Sequence, residues 1–275
     1  MKRILLSVAV LSMGTMAMAQ GFYTSFNVGY GFGTPGDAVG TEEVVDASLN
    51  STETNVYGSF GGGINIGLNP GYMFNEHIGA ELGLNYLLGS KVTNYDLSSP
   101  FATSLTESKS NQFRISPAIV ITTGGDKMSV YGKAGLVIPV AGSTVTRTET
   151  TPIIGSPSSM EMESKGALSL GFQGALGLGF NLSEKLSLFG ELSHVSLRIK
   201  GKSRSITENV NAGVDVLGLM DTYDKETVYV NELNSSSNNS AYNPNPVNDG
   251  AAKEELASTS NYNGLFINIG VKFSF

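Results

Sequence analysis

The chain of 275 residues has no cysteine and no tryptophan, only two histidines, and few charged residues. The absence of cysteine excludes a disulfide framework, a thiol nucleophile and a thiolate metal site. Two histidines leave little scope for a histidine-based metal site, and we expect no cofactor. Charged residues make up 15% of the chain, against about 25% in soluble domains. A net charge of −7 argues against binding to nucleic acid.

The chain also lacks a run of eighteen apolar residues, so we expect no membrane-spanning helix. Its first residues are basic at Lys2 and Arg3, apolar from Ile4 to Leu11, and small before the sequence Ala17-Met18-Ala19. This order predicts a cleaved secretory signal peptide over residues 1–19. The alternative, a membrane helix, would need a longer apolar run. Removal of the peptide leaves 15 bases against 24 acids, a charge of −9.

Residues 168 to 182 alternate between two kinds of side chain, with the period of two that is typical of a β-strand. One face is bulky and apolar, and the other consists of glycine, alanine, serine, glutamine and asparagine. A soluble β-sandwich would bury the bulky face and expose charged side chains on the other. Small polar residues suit a narrow interior instead, so the pattern favours a barrel whose apolar face contacts lipid.

The same alternation recurs in seven further segments and predicts eight strands, each about nine to eleven residues long, as a tilted strand needs to cross a bilayer. An even strand count is typical of bacterial barrels, and closure leaves no backbone edge unpaired in lipid. We therefore predict an all-β fold, an eight-stranded antiparallel transmembrane β-barrel over residues 20–275. The outward-facing rows begin at Phe22, Gly62, Ile78, Phe113, Val130, Leu168, Leu186 and Leu265.

The seventh strand is irregular, because Leu192 has one parity whereas Val195 and Leu197 have the other. Either a β-bulge lies near Ser193-His194, or the upper part of this strand has left the membrane. We favour the bulge, which reverses the face of the residues that follow it.

Short and long connections alternate along the chain. Three short turns at 75–77, 124–127 and 183–185 alternate with four long polar segments at about 34–58, 94–110, 148–161 and 201–259. Short periplasmic turns opposite long extracellular loops are typical of outer-membrane barrels. The last loop is expected to be disordered in its Asn- and Ser-rich centre and locally folded over 214–230.

Aromatic residues lie at both predicted membrane interfaces, as in the girdles of known barrels. The periplasmic set is Phe22, Tyr72, Phe74, Phe180, Phe273 and Phe275, and the outer set is Tyr30, Phe32, Phe60, Tyr86 and Phe113.

Two segments carry a resemblance to a known family. The stretch Gly71-Tyr72-Met73-Phe74-Asn75-Glu76-His77-Ile78-Gly79-Ala80-Glu81-Leu82-Gly83 resembles the second hairpin of the small outer-membrane β-barrel superfamily, which includes OmpX, OmpW and the OmpA membrane domain. The final strand, with Phe273 and Phe275, resembles the C-terminal signal read by the barrel-assembly machinery. The resemblance implies insertion among the lipids and lipopolysaccharide of a bacterial outer membrane, but it implies no single activity.

Five charged residues have inward parity: Glu81, Arg114, Lys133, Glu191 and Lys272. A charge that faces lipid at mid-depth costs roughly 2–4 kcal/mol, whereas charges inside the barrel neutralise one another. We interpret them as a structural ion network that plugs an interior just wide enough for side chains. A gated narrow pore is the alternative.

A basic stripe of period two rises towards the outside and consists of Arg198, Lys200, Lys202 and Arg204. This stripe suits contact with the phosphates or core sugars of lipopolysaccharide. The alternative, which we favour, is a solvated strand extension paired with acidic loops.

Glu191 and the sequence His194-Val195-Ser196 contain the residue types of a hydrolase. The His-x-Ser spacing resembles that of small barrels that deacylate lipid A, but residues 197–200 lack the Asn and Gly of that pattern. We therefore do not expect an enzyme.

Three functional hypotheses remain. The leading one is a structural or surface-interaction protein with a plugged polar interior, whose external ligand the sequence does not identify. The second is an OmpW-like channel or transporter for small hydrophobic molecules, which would leave sideways into the bilayer. A lipid A-modifying hydrolase is the remote third.

Overall fold

The computed structural model describes residues 21–247 and 249–275, so the predicted signal peptide lies outside the described residues. The described part consists mainly of sixteen strands in one sheet. They are β1 Phe22–Gly33, β2 Asp37–Val45, β3 Ser51–Gly58, β4 Gly63–Met73, β5 Ile78–Ser98, β6 Ala102–Thr122, β7 Met128–Pro152, β8 Ser158–Gly166, β9 Gly171–Asn181, β10 Leu186–Ser196, β11 Arg198–Asn211, β12 Val214–Asp215, β13 Glu226–Val230, β14 Lys253–Leu256, β15 Thr259–Asn261 and β16 Gly264–Ser274. The α-helix α1 spans Thr222–Lys225, after a 3-10 turn at Leu217–Leu219. None of the helices in these residues has the length and hydropathy that crossing a membrane requires.

Eight of the strands form a closed ring in the order β1, β4, β5, β6, β7, β9, β10 and β16, and β16 pairs back with β1. Each ring strand runs antiparallel to both neighbours, and each of the eight predicted segments overlaps one of them. The all-β fold is confirmed. The whole sheet is larger and mixed, however, because β2 runs parallel to β5 and β13 runs parallel to β14.

The outward and inward faces of the ring follow the predicted parity. Outward apolar side chains are solvent-accessible in the isolated chain, as for Leu176 and Ile269, at 69% and 64%. Inward side chains on the same ring are buried, as for Ser25 and Asn268, at 3% each. Since side chains alternate across a strand, each pairing keeps one set outside as far as the register shifts at Leu88/Lys91 and Phe113/Arg114, where the outer sheet begins.

The predicted bulge near Ser193-His194 is wrong. Strand β10 keeps an unbroken register with both β9 and β16, and Val195 is buried inside the ring. Leu197, in the next inward position, is 1% exposed. The apolar residues change parity because they change face: those nearer the turns point outward, and those nearer the outer end pack inside.

Three of the segments predicted as long loops, 34–58, 94–110 and 148–161, are largely strand, and the fourth, 201–259, combines strand with long irregular stretches. Strands β5, β6 and β7 have 21, 21 and 25 residues and continue well past the length needed to cross a bilayer. Their outer halves, with β2, β3, β8, β11, β13 and β14, form what we call the outer sheet. These segments look like loops because they lack an apolar face, yet paired hydroxyl groups join them across strands. The pairs are Ser104 with Thr150, Thr106 with Thr148 and Ser108 with Thr146, at 2.7–3.0 Å.

The hairpin of β2 and β3 is attached to the outer part of β5. The Tyr95 hydroxyl donates to Glu43 Oε2 at 2.7 Å, and this hydrogen bond holds the pKa of the Glu43 carboxyl below its ordinary value. The glutamate therefore remains an ionised acceptor, which fits its role in joining the hairpin to the ring strand.

Inward aromatic rings lie over glycines on the neighbouring strand. An added Cβ at Gly177 would lie 2.2 Å from Tyr131 Cζ, so only glycine leaves space for that ring. The narrow interior explains this recurring arrangement, since it cannot hold two large side chains at the same level. The pairs are Tyr23 with Gly71, Tyr131 with Gly177, Phe189 with Gly270 and Phe266 with Gly31.

Replacing Gly177 with valine tests this steric limit. We expect G177V to lower the free energy of unfolding by about 1–3 kcal/mol, because overpacking must displace the Tyr131 ring. The matched control is G190V, since an added Cβ at Gly190 meets no atom within 4 Å. Urea unfolding in detergent micelles measures both variants, and equal stability of G177V and G190V would contradict the steric argument.

Candidate functional site

A cluster of charged and aromatic side chains fills the lumen near the turn end of the ring. Lys133 Nζ lies 2.7 Å from Glu81 Oε1 and 3.0 Å from Glu191 Oε2. The Tyr23 hydroxyl donates to Glu81 Oε2 at 3.2 Å, and the Tyr131 hydroxyl donates to Glu191 Oε2 at 3.1 Å. Each buried carboxylate thus has one ammonium and one phenol partner, which offsets the cost of its removal from water.

The strands bring these groups together from distant parts of the sequence. Glu81 lies on β5, Lys133 on β7 and Glu191 on β10, and all three have inward parity. The Lys133 ammonium also lies 5.2 Å from the centroid of the Tyr131 ring and 5.8 Å from that of Phe189. Such cation–π contacts add to the two ion pairs.

Arg114 and Lys272 face the lumen as predicted, but neither has an ion-pair partner among the described residues. Arg114 is 3% exposed and donates from Nε to Gln112 Oε1 at 2.8 Å. Lys272 lies with its ammonium 5.4 Å from the centroid of the Tyr23 ring. The predicted network of five charges is therefore a network of three, because only Lys133 reaches both carboxylates.

Amide side chains form the next layer towards the outside. Asn69 donates to Ser25 Oγ at 3.2 Å and to Asn27 Oδ1 at 2.9 Å. Asn268 donates to Ser193 Oγ at 3.1 Å and to Glu191 Oε1 at 3.4 Å. These bonds join the amide layer to the charged cluster.

The outer part of the interior is apolar, contrary to the prediction of a polar interior throughout. Tyr262 and Phe266, from the end of the chain, are buried against side chains from β5, β7, β10 and β11. Phe60 was predicted to belong to the outer aromatic girdle, but its ring packs 5.5 Å from that of Tyr262. Sequence reasoning missed this cluster, although the inward parity of Leu87 and the change of parity after Leu192 both indicated it. Its buried members are Leu87, Val137, Val195, Leu197, Ile199, Tyr262 and Phe266.

Two cavities lie along the axis of the ring. A wide one of about 540 Å³ opens at the turn end, where Tyr72 and Phe74 form part of the wall and Glu81 and Lys133 lie deeper. A small one of about 50 Å³ extends from the charged cluster to the apolar cluster, and its lining includes Arg114, Glu81 and Glu191. Packed side chains of the apolar cluster lie beyond it, so the interior narrows from the turn end to the outer end.

The wall of the ring has one interrupted stretch. Strand β7 pairs first with β9, and the last pair is Val137 with Gly171. It then pairs with β8 in the same register, and the first pair is Thr144 with Ser164. In the described part of the chain, no sheet pairing joins residues 138–143 to residues 165–170. We call this interruption the slit. It borders a cavity of about 220 Å³ that reaches Gln112 and Tyr262.

The basic stripe lies on β11, beyond the outer end of β10, and much of it is paired. Arg198 forms an ion pair with Asp37 at 2.7 Å, and Arg204 approaches Glu255 at 3.5 Å. Lys200 donates to Asn231 Oδ1. Pairing with acidic loop residues, which we favoured from the sequence, accounts for two of the four bases.

The residues of the hydrolase hypothesis lie on opposite faces of β10. Glu191 points into the lumen and contacts Lys133, whereas His194 and Ser196 have outward parity and are exposed. The structure thus does not bring this histidine, this serine and this carboxylate into one site. Among the described residues, no group of three histidine or acidic side chains could hold a metal ion.

Phe273 and Phe275, the predicted assembly signal, lie on the outward face at the turn end. Both side chains are about half exposed, and the Phe275 amide donates to the Phe22 carbonyl at 3.1 Å. The Phe22 ring packs against that of Tyr72 in a tilted arrangement, with centroids 4.7 Å apart. The aromatic residues predicted for this end of the ring therefore include one connected group.

Replacing Lys133 with methionine tests the charged cluster. We expect K133M to lower the free energy of unfolding by about 3–5 kcal/mol, because two buried carboxylates lose their shared cation. K272M is the matched control and is expected to cost much less, since Lys272 has no ion-pair partner among the described residues. Urea titrations monitored by tyrosine fluorescence compare the two, and the triple variant E81Q/K133M/E191Q should recover most of the loss.

Known proteins offer three kinds of comparison. The family model for the outer membrane protein beta-barrel domain matches residues 4–223. No curated protein sequence matches the chain. Similar solved structures include OprG from Pseudomonas aeruginosa, at 13% identity over 93% of this chain and 97% of that one, with a TM-score of 0.40. Neisserial surface protein A is 13% identical over 93% of this chain and 97% of that one, with a TM-score of 0.36. Ail from Yersinia pestis is 11% identical over 94% of this chain and 100% of that one, with a TM-score of 0.31.

The structural similarities are too distant to support an inference about activity. The family match covers most of the chain, and it agrees with the closed ring, the apolar outward face and the polar inward one. The protein therefore belongs to the outer membrane protein beta-barrel domain family and is a protein of the bacterial outer membrane.

Proposed function

We propose that the ring spans the outer membrane as an eight-stranded antiparallel barrel and serves as an anchor for a surface-interaction site on the outer sheet. The charged cluster and the apolar cluster close the interior, which suits an anchor better than an open pore. The observation that carries the proposal is the continuation of β5, β6 and β7 for about twice the length that a bilayer requires.

Exposed apolar side chains are concentrated at the far end of the outer sheet. The Ile153 amide donates to the Phe101 carbonyl at 2.8 Å, and the Gly213 amide donates to the Pro157 carbonyl at 3.0 Å, so three connections meet there. Ile154 is 91% exposed. Exposed apolar groups gathered on a polar surface mark an interaction site. We call this group the apolar tip: Phe101, Ile153, Ile154, Val214 and Leu219.

A rigid strand extension presents the apolar tip away from the membrane. Backbone pairing of β5 with β6 continues to Ser98 opposite Thr103, and that of β6 with β7 continues to Ala102 opposite Pro152. Paired strands therefore hold the apolar tip. A pre-ordered surface loses little conformational entropy on contact. The outer sheet therefore supports adhesion to an apolar surface outside the cell.

Serine substitutions at the tip test the adhesive role. Cells that display F101S/I153S/I154S should attach to alkyl-coated glass several-fold less than cells with the unchanged protein, because the apolar contact area is lost. Y57S is the matched control, since Tyr57 is also exposed but lies at the base of the β2–β3 hairpin. Surface biotinylation would normalise the amount displayed, and equal attachment of the tip variant would contradict the proposal.

The basic stripe and the terminal phenylalanines support two further partners. Lys202 is exposed and has no ion-pair partner among the described residues, so it is the member of the stripe best suited to a lipopolysaccharide phosphate. Phe273 and Phe275 present an outward aromatic edge on the last strand, which suits recognition by the barrel-assembly machinery.

The slit favours a second function, a lateral path for small hydrophobic molecules. Its cavity reaches from the interior side chains Gln112 and Tyr262 to wall residues such as Val140 and Leu168, which are exposed. An apolar molecule that entered this cavity would leave between β7 and the 165–170 segment into lipid. The apolar cluster would then close the path towards the turn end.

A disulfide across the slit tests the second function. Val140 and Leu168 both line the cavity at the slit, and the chain has no native cysteine. Oxidised V140C/L168C should lose any uptake of a fluorescent alkyl probe into proteoliposomes, and reductant should restore it. The single variant V140C controls for the substitution, and uptake that is unaffected by oxidation would contradict a path through the slit.

A further inference from the structure

We propose that the slit binds a single-chain amphiphile, with an anionic head group held by Lys202 in the cavity of about 220 Å³ and an alkyl tail that extends outward into lipid. Such binding rests on the lateral path proposed above and defines which molecules would use it. The cavity lies where the apolar outward face of the ring meets the hydroxyl-rich outer sheet. Leu168 is exposed on one side of it, and Thr144 and Ser164 lie on the other.

The lining of the cavity is too polar for a purely apolar molecule. An apolar group that displaced water from these side chains would leave their hydrogen bonds unmade, whereas a polar head group would replace them. An alkyl tail matches Val140 and Leu168, which border the cavity and are exposed on the outward face. The hydroxyl and amide groups of the lining belong to Ser110, Gln112, Ser143, Thr144, Ser164 and Tyr262.

A β-bulge places Lys202 on the wall of this cavity. Strand β11 pairs Gly201 with Gly166 and Ser203 with Lys165, so Lys202 is an extra residue relative to β8. A bulge of this kind redirects the side chain of the extra residue. Lys202 lines the cavity, whereas Arg198 and Lys200 of the basic stripe do not.

The charge at the cavity selects an anionic head group. Lys202 is exposed and has no ion-pair partner in the part of the chain that the structure describes. No acidic side chain of that part lines the cavity. An ammonium group in such a setting favours a carboxylate or a phosphate, which accepts charge-assisted hydrogen bonds.

The backbone of the slit can add donors to this cation. No sheet pairing joins residues 138–143 to residues 165–170 in the described chain. Backbone N–H groups beside hydrocarbon need a polar partner, and the oxygen atoms of an anionic head group accept from them. The cavity volume far exceeds the roughly 10–15 Å³ that one water-sized particle needs, so it has room for a head group and the first carbons of its chain.

Lys165 provides the matched comparison for Lys202. It lies at the end of the slit, is exposed, and has no ion-pair partner among the described residues. It does not line the cavity. An amphiphile that merely adsorbed to a basic surface would depend on both lysines, whereas one with its head group in the cavity depends on Lys202 alone.

Equilibrium binding of radiolabelled dodecanoate to the protein in nanodiscs of neutral phospholipid tests the proposal. At mildly alkaline pH, where the carboxylate is ionised, we expect K202Q to raise the Kd about tenfold, because a charge-assisted hydrogen bond is lost. The Kd of K165Q should equal that of the unchanged protein, and unlabelled dodecanol should compete about tenfold more weakly than dodecanoate. Empty nanodiscs give the background from partition into lipid.

Three outcomes would overturn the proposal: an unchanged Kd in K202Q, an equal loss in K165Q, or equal competition by dodecanol. Both lysines are exposed, so equal unfolding temperatures of the two variants and the unchanged protein would show that folding is intact.

A further arm distinguishes the two sources of an anionic head group. Displacement of dodecanoate by lipopolysaccharide added to the nanodiscs would identify a lipid of the outer leaflet as the occupant. Binding that persists in the presence of lipopolysaccharide would identify a free fatty acid. Both results support a head-group site at Lys202.

The oxidised V140C/L168C variant separates this site from the lateral path itself. If oxidation blocks uptake of the alkyl probe while K202Q binds dodecanoate normally, the path stands and the head-group site is refuted. If oxidation leaves uptake unchanged while K202Q binds dodecanoate weakly, the site stands and the path is refuted.

Discussion

Closure of the ring is the constraint on which the rest of the structure depends. In the hydrocarbon layer, each backbone N–H and C=O needs a partner within the protein, and a sheet supplies partners for all of them only when its first and last strands meet. Strands β1 and β16 pair from Tyr23 opposite Ser274 to Gly33 opposite Gly264, so the first and last strands of the described chain close the ring. An eight-strand ring also fixes a narrow interior, and that dimension governs which side chains the interior accepts.

The narrow interior accounts for the composition of the lumen. Aromatic rings fit only opposite glycine, as for Tyr131 beside Gly177, and charges are tolerated only where partners reach them. Lys133 meets this condition for both Glu81 and Glu191. Apolar side chains then fill the outer end. Charged, amide and apolar layers follow one another from the wide cavity at the turn end, and the apolar layer closes the outer end, so we propose surface interaction as the main function and the slit as the route of the proposed lateral path.

The outer sheet shows how strands persist without an apolar face. Above the lipid, the segments of β5, β6 and β7 are held by backbone pairing and by serine and threonine hydroxyls that bond across strands. Hydroxyl side chains fit a pleated surface and need no buried core behind them. The ring below supplies a fixed base, so these extensions do not depend on independent stability, and they can present exposed apolar residues at their far end.

The sequence by itself determined the strands of the ring, their inward and outward faces and the short turns, because a period of two is a local property of each segment. Parity alone placed Glu81, Lys133 and Glu191 inside. It could not show that Lys133 reaches both acids while Arg114 reaches neither, since this depends on register between strands far apart in the chain. The parity of Val195 and Leu197 was equally consistent with an outward bulge. Only the tertiary structure decided that they lie inside, because their packing partners Tyr262 and Phe266 arrive from the other end of the chain when the ring closes.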